Sequence, residues 1–218
     1  MGEKRMTHDN LFRQGLATYL PDHCRERLQK TCVGIAGAGG LGSNVACHLA
    51  RSGIASLVVA DCDRVTPSNL NRQFYFADQV GRPKVEALKE NLLRIDPALD
   101  MKVHFICLEP DNLTVIFQDC ELVVEALDDA VAKAMLVEAL SPDKRLIVAA
   151  SGIGGYGDPE GIRVSTFGKN IVVVGDGRTP SETGIPPMSP RVGIAAAMQA
   201  DIILKYLIGS LTSKEINP

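Results

Sequence analysis

The sequence carries no surplus of positive charge. Among its 218 residues, 23 lysines and arginines stand against 26 aspartates and glutamates, so the formal net charge is −3. Proteins that bind nucleic acid through its phosphates normally have a basic excess. The balance argues against a general nucleic-acid binder, and we expect no nucleic-acid partner.

Long apolar runs are also absent. No run reaches the roughly 18 residues that suggest a membrane-spanning helix, and the first residues are polar and charged, unlike a secretory signal. Hydrophobic residues still make up 45% of the chain and charged residues 22%, which argues against wholesale disorder. We expect a folded protein of the cytoplasm without a membrane partner.

Cysteine pairs with the spacing of a metal site are missing. No Cys-x-x-Cys pattern occurs, so we expect no structural zinc. Several cysteines lie inside apolar runs, where a cysteine mostly acts as a small buried hydrophobe. Scattered thiols without a secretory signal fit a reducing cytoplasm. The cysteines are Cys24, Cys32, Cys47, Cys62, Cys107 and Cys120.

Strand-like and helix-like segments alternate from residue 32 to residue 150. Short apolar runs separated by stretches with helical spacing are typical of a parallel sheet that helices cover on both faces. The predicted strands are residues 32–36, 56–60, 103–106, 122–124 and 146–150, and the predicted helices are residues 41–52, 83–95 and 129–140, with a short helix before residue 122.

The pattern changes after residue 151. The apolar runs 162–167 and 171–174 have no helix between them, so we expect these strands to pair antiparallel. A Gly- and Pro-rich loop at 175–190 and a helix at 190–208 follow. The expected fold is α/β, with a Rossmann-like, mostly parallel sheet flanked by helices and antiparallel strands added at its C-terminal end.

A glycine-rich turn follows the first predicted strand. Residues 37–42 read Gly-Ala-Gly-Gly-Leu-Gly and open the next helix. Glycines allow a tight turn and let backbone N–H groups approach phosphate oxygens, while the helix N-terminus adds partial positive charge. Asp61 ends the second strand, where a carboxylate can bind ribose hydroxyls. This order predicts a nucleotide site, although dinucleotide-dependent oxidoreductases share all of these features.

The loop after Asp61 helps to distinguish a triphosphate from a dinucleotide. ATP with its metal carries more negative charge than a pyrophosphate bridge, so its site needs added cations and a carboxylate for magnesium. Arg72 and Lys84 can supply the cations. Lys84 falls in the first turn of a predicted helix, where the helix dipole disfavours a cation by about 0.3–1 kcal/mol, and phosphate would explain it. Taken alone, Lys84 is equally a solvated surface lysine and Arg72 a surface ion-pair partner.

Two aspartates follow the fourth predicted strand. Asp128 and Asp129 lie at the carboxyl end of a parallel strand, where open sheets bind ligands. Asp128 can hold Mg²⁺ through oxygen ligation. One of the two can instead cap the helix that starts here, because aspartate is a favoured N-cap residue. Both roles can coexist in neighbouring residues.

The order of these motifs resembles one family. The glycine turn is followed by Asp-x-Asp-x-Val-x-x-Ser-Asn-Leu-x-Arg-Gln, which begins at Asp61, by Val-Gly-x-Pro-Lys, which ends at Lys84, and by Asp128 at a strand end. This arrangement resembles the ThiF-type adenylating enzymes, which are related to the ubiquitin-activating enzymes and the molybdopterin-synthase activating enzyme. The likeness covers about residues 8–209, and the short chain looks most like the compact ThiF proteins of bacterial thiamine synthesis.

The resemblance implies a role for each matching residue. Asp61 would bind ribose and Asp128 would hold Mg²⁺. Arg13 resembles an N-terminal arginine that such enzymes insert into the nucleotide site of their dimer partner; without the resemblance it is an ordinary exposed helix residue. The implied nucleotide-binding residues are Gly37, Gly39, Gly40, Gly42, Asp61, Ser68, Asn69, Arg72, Gln73, Lys84 and Asp129, and the implied catalytic residues are Arg13, Arg72, Lys84 and Asp128.

The resemblance also implies an activity and a domain division. The activity is adenylation of the C-terminal carboxylate of a small ubiquitin-like sulfur carrier of the ThiS type by a homodimer, with ATP and Mg²⁺ as cofactors. Residues 1–30 would form an N-terminal helical arm and residues 31–218 a ThiF-type nucleotide-binding adenylation domain. A terminal carboxyl with a pKa of about 3.3–3.7 is already ionised at neutral pH, so the absence of a Ser/His/Asp or Cys/His arrangement fits this chemistry.

The chain departs from the larger relatives in its cysteines. Paired Cys-x-x-Cys motifs are absent, and the loop 168–190 has no cysteine, although larger relatives place a sulfur-linking or thioester cysteine near it. Cys62 is the remaining candidate, but the acids on either side should raise its pKa and blunt its nucleophilicity. The alternatives that remain open are a molybdopterin-type carrier, an NAD-dependent oxidoreductase and a non-catalytic nucleotide-binding scaffold.

Overall fold

A seven-stranded sheet forms the centre of the computed structural model, which describes residues 11–143, 145–179 and 184–209. The strands are β1 (Cys32–Ala36), β2 (Ser56–Asp61), β3 (Asp100–Phe105), β4 (Leu122–Glu125), β5 (Leu146–Ala150), β6 (Arg163–Phe167) and β7 (Ile171–Gly175). Their order in the sheet is β3-β2-β1-β4-β5-β7-β6, and all neighbours are parallel except β6 and β7. The predicted α/β fold is confirmed, including the antiparallel pair at the C-terminal end.

Seven α-helices accompany the strands in the described part of the chain. They are α1 (Leu11–Leu16), α2 (Asp22–Lys30), α3 (Gly40–Arg51), α4 (Lys84–Leu93), α5 (Pro110–Ile116), α6 (Ala130–Leu140) and α7 (Ser189–Ile208). Helix α4 begins one residue later than predicted, because Pro83 has an extended ψ of 131° and serves as the N-cap. This places Lys84 at the first helical position.

Apolar layers cover both faces of the sheet. Successive strand residues point to opposite faces, so Ile35 joins the layer under α3, α4 and α7, whereas Ala36 joins the layer under α5 and α6. Val123 and Val124 alternate in the same way. Burial on both faces explains why these strands are continuous apolar runs rather than alternating ones.

The helices before β1 rest on the first of these layers. Leu28 of α2 is buried in it, and α2 contacts α7. The division into an arm (1–30) and a domain (31–218) stays a prediction, and residues 1–10 and 210–218 lie outside the described residues. Within the described ranges, no helix is both long enough and apolar enough to cross a membrane.

Candidate functional site

A cavity of about 400 Å³ lies at the carboxyl ends of β1, β2 and β4. Strand order reverses between β1 and β4, and open parallel sheets bind ligands at such a point. The size is in the range of small-molecule sites. Its lining includes eight residues predicted from the sequence, namely Gly37, Gly39, Gly40, Asp61, Arg72, Gln73, Lys84 and Asp128.

The glycine turn depends on residues without a side chain. Gly37 has a φ of +97°, and a Cβ there would lie 2.6 Å from the carbonyl oxygen of Ala126. A Cβ at Gly42 would overlap the carbonyl oxygen of Gly37, so Gly42 closes the turn and is not part of the cavity lining. Because α3 begins at Gly40, the N–H groups of its first turn, which have no partner within the helix, border the cavity. The turn therefore suits a phosphate group.

Asp61 holds the glycine turn from the end of β2. Its carboxylate accepts hydrogen bonds from the backbone N–H groups of Ala38 at 2.6 Å and Asp63 at 2.7 Å. An ionised carboxylate has about four lone-pair sites, so Asp61 keeps acceptor capacity toward the cavity. Ribose binding by Asp61 stays a prediction.

Lys84 lies inside the protein rather than on its surface. Only 5% of the residue is exposed, and its ammonium donates to a carboxylate oxygen of Asp63 at 2.7 Å. A buried cation at a helix N-terminus needs a compensating negative group, which Asp63 supplies. Since a lysine ammonium has three N–H donors, two remain for an anion in the cavity. The interpretation of Lys84 as a solvated surface residue is therefore wrong.

Arg72 lies beside the start of α3. Its methylene groups come within 3.6 Å of the position that a Cβ on Gly40 would take. Its guanidinium donates to the carbonyl oxygen of Ser68 at 3.0 Å and to the amide oxygen of Asn71 at 2.8 Å. Burial lowers the pKa of Arg72. Gln73 is buried next to it, and its Oε1 has no hydrogen-bond partner among the described residues.

The two aspartates after β4 have separate positions. Asp129 caps α6 by accepting a hydrogen bond from the backbone N–H of Ala132 at 2.8 Å, and it does not line the cavity. Asp128 is exposed and lines the cavity, and no described residue donates a hydrogen bond to its carboxylate. The structure thus gives the capping role to Asp129, whose carboxylate turns toward the helix and away from the predicted nucleotide site.

Ser68 and Asn69 were predicted as nucleotide-binding residues, yet both form hydrogen bonds within their own turn. The Ser68 hydroxyl lies 2.9 Å from that of Thr66, and the Asn69 amide oxygen accepts the backbone N–H of Thr66 at 3.0 Å. Neither residue lines the cavity. In this structure the pair shapes the turn that presents Arg72.

Arg13 is not brought to the cavity of its own chain. Its guanidinium donates to the buried carboxylate of Asp96 at 3.2 Å and to the carbonyl oxygen of Ala98 at 3.2 Å. These contacts attach α1 to the segment after α4. The predicted role of Arg13 in the nucleotide site of a dimer partner stays a prediction.

Sequence reasoning did not single out the individual residues of the wall opposite the glycine turn. Lys133 lines the cavity there and pairs with Glu125, which lies eight residues earlier at a strand end. Thr179 also lines it, and the carboxylate of Asp176 accepts both its backbone N–H at 2.8 Å and its hydroxyl at 2.5 Å. Arg191 of α7 donates to the same carboxylate at 2.6 Å. The one signal in the sequence was an acidic residue at the end of an apolar strand.

Cys62 is not a free thiol in this structure. It forms a disulfide with Cys107 across 45 residues of sequence. The expectation of unpaired thiols is wrong for these two residues, and Cys62 is removed as a candidate nucleophile. The parallel register pairs Asp61 with Phe105, so Cys62 and Cys107 leave neighbouring strand ends. The sequence alone does not supply that register.

The chain matches a known family over nearly its whole length. The model of the ThiF family matches residues 12–217. The tRNA threonylcarbamoyladenosine dehydratase of Haemophilus influenzae is 30% identical over 155 residues, which cover 70% of this chain and 59% of that protein. The molybdopterin-synthase adenylyltransferase of Escherichia coli is 30% identical over 200 residues, which cover 85% of this chain and 76% of that protein.

Other similar proteins are longer or more distant. The adenylyltransferase and sulfurtransferase UBA4 of Candida glabrata is 27% identical over 203 residues, which cover 88% of this chain and 46% of that protein. The chain thus spans about half the length of several relatives that it matches. The crystal structure of the E. coli tRNA N6-threonylcarbamoyladenosine dehydratase TcdA in complex with ATP has a TM-score of 0.83 and 23% identity, over 91% of this chain and 94% of that one. This likeness shows the fold.

Proposed function

This chain belongs to the ThiF family, and from that premise we propose that it uses ATP to adenylate the C-terminal carboxylate of a small ubiquitin-like sulfur carrier of the ThiS type. The products are the carrier acyl-adenylate and pyrophosphate, and the reaction serves thiamine biosynthesis. One observation carries the proposal: a single cavity joins a glycine turn, the cations Arg72 and Lys84 and the exposed carboxylate of Asp128. That combination suits a metal-bound triphosphate better than a dinucleotide.

Similar proteins support this choice of chemistry. The E. coli relative is named as an adenylyltransferase that serves molybdopterin synthase, and the C. glabrata relative is named as an adenylyltransferase and sulfurtransferase. The TcdA structure of the same fold is a complex with ATP. These names favour ATP over a nicotinamide dinucleotide as the ligand of this cavity.

The chemistry needs positioned charge rather than a general base. The carrier carboxylate is already ionised at neutral pH and attacks the α-phosphate directly. The barrier falls when the carboxylate and phosphate are held in line and when negative charge is offset as pyrophosphate leaves. Lys84 has two donors left for phosphate oxygens, and Arg72 lies beside the helix N-terminus that would hold the phosphates.

The residues present fit Mg²⁺ at Asp128. Mg²⁺ is usually held by one or two carboxylates together with substrate phosphates. No cluster of three or more His, Cys, Asp or Glu side chains occurs in the described part of the chain, so Asp128 would share the ion with the nucleotide. When bound, Mg²⁺ offsets the negative charge of the phosphate oxygens.

The wall opposite the glycine turn would receive the carrier tail. Gly152, Thr179 and Pro187 line it, and the backbone N–H of Gly154 donates to the carbonyl oxygen of Thr179 at 3.1 Å. Thr179 and Pro187 belong to the Gly- and Pro-rich segment 175–190, of which residues 180–183 lie outside the described residues. Backbone groups on both sides would let an extended peptide approach the α-phosphate.

Homodimer formation stays part of the proposal. For Arg13 to enter the site of a partner subunit, it would have to give up its contacts with Asp96 and Ala98. Asp96 is only 1% exposed, so loss of its partner would leave a buried carboxylate with one counter-charge fewer.

A second candidate substrate is a modified tRNA. Its support is the similarity to the H. influenzae tRNA threonylcarbamoyladenosine dehydratase. The net charge of −3 argues against it, since tRNA binding draws on an excess of cations.

The test is ATP–pyrophosphate exchange with purified acceptors. The panel contains a ThiS-type carrier, a molybdopterin-type carrier and tRNA, and the matched control is the ThiS-type carrier with an amidated C-terminus. We expect exchange with the ThiS-type carrier and none with its amidated form, because only a free carboxylate can be adenylated. Exchange with the molybdopterin-type carrier alone, ATP turnover with tRNA alone, or binding of NADH in preference to ATP would each contradict the proposal.

A further inference from the structure

The buried Glu125 and the partly exposed Lys133 form an ion pair beneath the turn that carries Asp128. Glu125 is the last residue of β4 and is 1% exposed. The Lys133 ammonium lies 2.9 Å and 3.0 Å from its two carboxylate oxygens. Burial raises the pKa of the Glu125 carboxyl, and the charge of Lys133 opposes that rise. The carboxylate therefore depends on Lys133 for its counter-charge.

Lys133 joins three elements at the carboxyl end of the sheet. It belongs to α6, it contacts β4 through Glu125, and it donates to the carbonyl oxygen of Ala150 at the end of β5 at 3.1 Å. All three of its N–H donors thus have protein acceptors. Lys84, in contrast, has one such acceptor among the described residues, Asp63. Lys133 lines the cavity without a donor to spare for phosphate, so its effect on the site is indirect.

The same ion pair fixes the turn between β4 and α6. Oε1 of Glu125 also accepts the backbone N–H of Leu127 at 2.8 Å, and the backbone N–H of Ala126 donates to Ala36 of β1 at 2.9 Å. Asp129 closes the turn as the N-cap of α6. Asp128 lies between these attachments, at the cavity.

We propose that Glu125 and Lys133 are positioning residues that set the place of the Asp128 carboxylate toward a metal-bound nucleotide. The inference rests on the proposed role of Asp128. Groups that orient a metal-binding carboxylate typically contribute 10- to 100-fold to metal affinity or activity, although they never touch the metal. This role would also explain why a charged residue, Glu125, ends the otherwise apolar strand β4.

Mn²⁺, which reports on a Mg²⁺ site by electron paramagnetic resonance, provides the test with the full-length chain. Lys133→Met removes the charge and keeps the chain length. We expect the affinity for Mn²⁺ in the presence of ATP to fall about 10- to 100-fold. Affinity for ATP in excess chelator should change by less than about threefold, because Arg72 and Lys84 are untouched. Lys133→Arg should restore most of the Mn²⁺ affinity.

The double variant Glu125→Gln with Lys133→Met separates positioning from stability. It leaves no unpaired buried charge, so its Tm should recover toward that of the wild type, but the link between α6, β4 and β5 is still lost. We expect its Mn²⁺ affinity to stay low. Lys102→Met is the matched control, since Lys102 pairs with Asp119 at 3.8 Å on the exposed surface at the other end of the sheet.

The outcomes distinguish this inference from the proposed function. If wild-type protein binds Mn²⁺ with ATP and Lys133→Met binds it equally well, the inference is wrong while the proposed function stands. Recovery of both Tm and Mn²⁺ affinity in the double variant would also overturn it. Lys133 would then serve only to compensate the buried charge of Glu125 and would not position Asp128. If the wild type binds neither ATP nor Mn²⁺, the proposed function fails and the inference fails with it.

Discussion

The two ends of the sheet hold their charged groups in different ways. At the carboxyl end, Lys84 is buried and contacts Asp63 at 2.7 Å, while no described residue donates to the exposed carboxylate of Asp128. At the amino end, Lys102 and Asp119 lie 3.8 Å apart with 58% and 67% of their side chains exposed. The carboxyl end thus has a desolvated cation and an acceptor open to the cavity, whereas the Lys102–Asp119 pair at the amino end is solvated.

The difference follows from what each arrangement costs. A surface ion pair contributes about 0–1 kcal/mol to stability. A pair such as Lys102–Asp119 therefore costs little desolvation and adds little to the free energy of unfolding. A buried cation loses its hydration, and its counter-ion rarely compensates in full. The buried charges of Lys84 and Glu125 are therefore expected to add little to stability, which favours a functional role for the carboxyl end. Variants at the two ends should then affect different properties.

Asp128→Ala should give the largest effect. We expect carrier-dependent ATP–pyrophosphate exchange to fall by about 10³-fold or more, since the variant removes the proposed metal-binding carboxylate from the transition state. The free energy of unfolding should change by less than about 0.5 kcal/mol, because the side chain is exposed and has no donor among the described residues. Exchange assays and urea unfolding measure the two quantities.

The adjacent residue supplies the control. Asp129→Ala removes the N-cap of α6 and should cost about 1 kcal/mol of stability, with exchange reduced by less than about tenfold. If Asp129→Ala abolished exchange and Asp128→Ala did not, the assignment of the two aspartates would be reversed.

Reduction of the Cys62–Cys107 disulfide should give the next largest effect, this time on stability. The bond closes a loop of 45 residues between the ends of β2 and β3, and a bond of this kind contributes about 2–4 kcal/mol. We expect dithiothreitol to lower the free energy of unfolding of the wild type by this amount. Exchange should persist in the folded reduced protein, because the proposed adenylation uses no thiol.

The double variant Cys62→Ser with Cys107→Ser completes that test. Its stability should match that of the reduced wild type and should not respond to dithiothreitol. Loss of exchange in the folded double variant would restore a thiol step. If the oxidised and reduced wild-type proteins had the same free energy of unfolding, the disulfide would contribute nothing to stability.

The fold could be predicted from the sequence because its strands and helices follow from local patterns of apolar and polar residues. The run 146–150 is strand β5 residue for residue, and the helix after the glycine turn lies within one residue of its predicted start. Asp61 and Asp128 both line the cavity, since parallel strands bring their carboxyl ends to one edge. Chain order and periodicity are enough for such inferences.

The remaining features depend on three-dimensional neighbours. From the sequence, Lys84 could be a surface residue or a phosphate ligand, because neither its burial nor its contact with Asp63, 21 residues earlier, is visible there. The bond from Cys62 required the β2–β3 register, which sequence spacing does not specify. The pairing of Glu125 with Lys133 joins a strand end to the first turns of the next helix, and no motif marks it.

Asp176→Asn tests the wall opposite the glycine turn and should have a smaller effect on stability. Burial raises the pKa of Asp176, but hydrogen bonds from Thr179 and Arg178 and the charge of Arg191 outweigh it, so the pKa is lowered overall. Removing the charge leaves Arg191, which is 5% exposed, without its counter-ion, and we expect a loss of about 2 kcal/mol at neutral pH.

The lowered pKa fixes the direction of the pH dependence. A carboxyl with a depressed folded-state pKa stabilises the protein above its unfolded pKa, and this contribution disappears as the pH falls through the folded-state value. The Tm difference between wild type and Asp176→Asn should therefore be constant above about pH 5 and shrink below about pH 4. A Tm difference that increased as the pH fell would contradict the hydrogen bonds and the ion pair that stabilise the ionised Asp176.

Lys102→Met should have the smallest effect and sharpens the comparison most directly. The change removes one positive charge from the edge strand β3. Lys133→Met likewise removes one positive charge, but near the cavity at the carboxyl end of the sheet. Because the Lys102–Asp119 pair is solvated, we expect unfolding to shift by less than about 0.5 kcal/mol and exchange to stay within about twofold of wild type. Urea unfolding at low and high salt gives the first quantity and the exchange assay the second. A tenfold loss of exchange would mean that charge matters at both ends, and the cavity would no longer account for the difference between them.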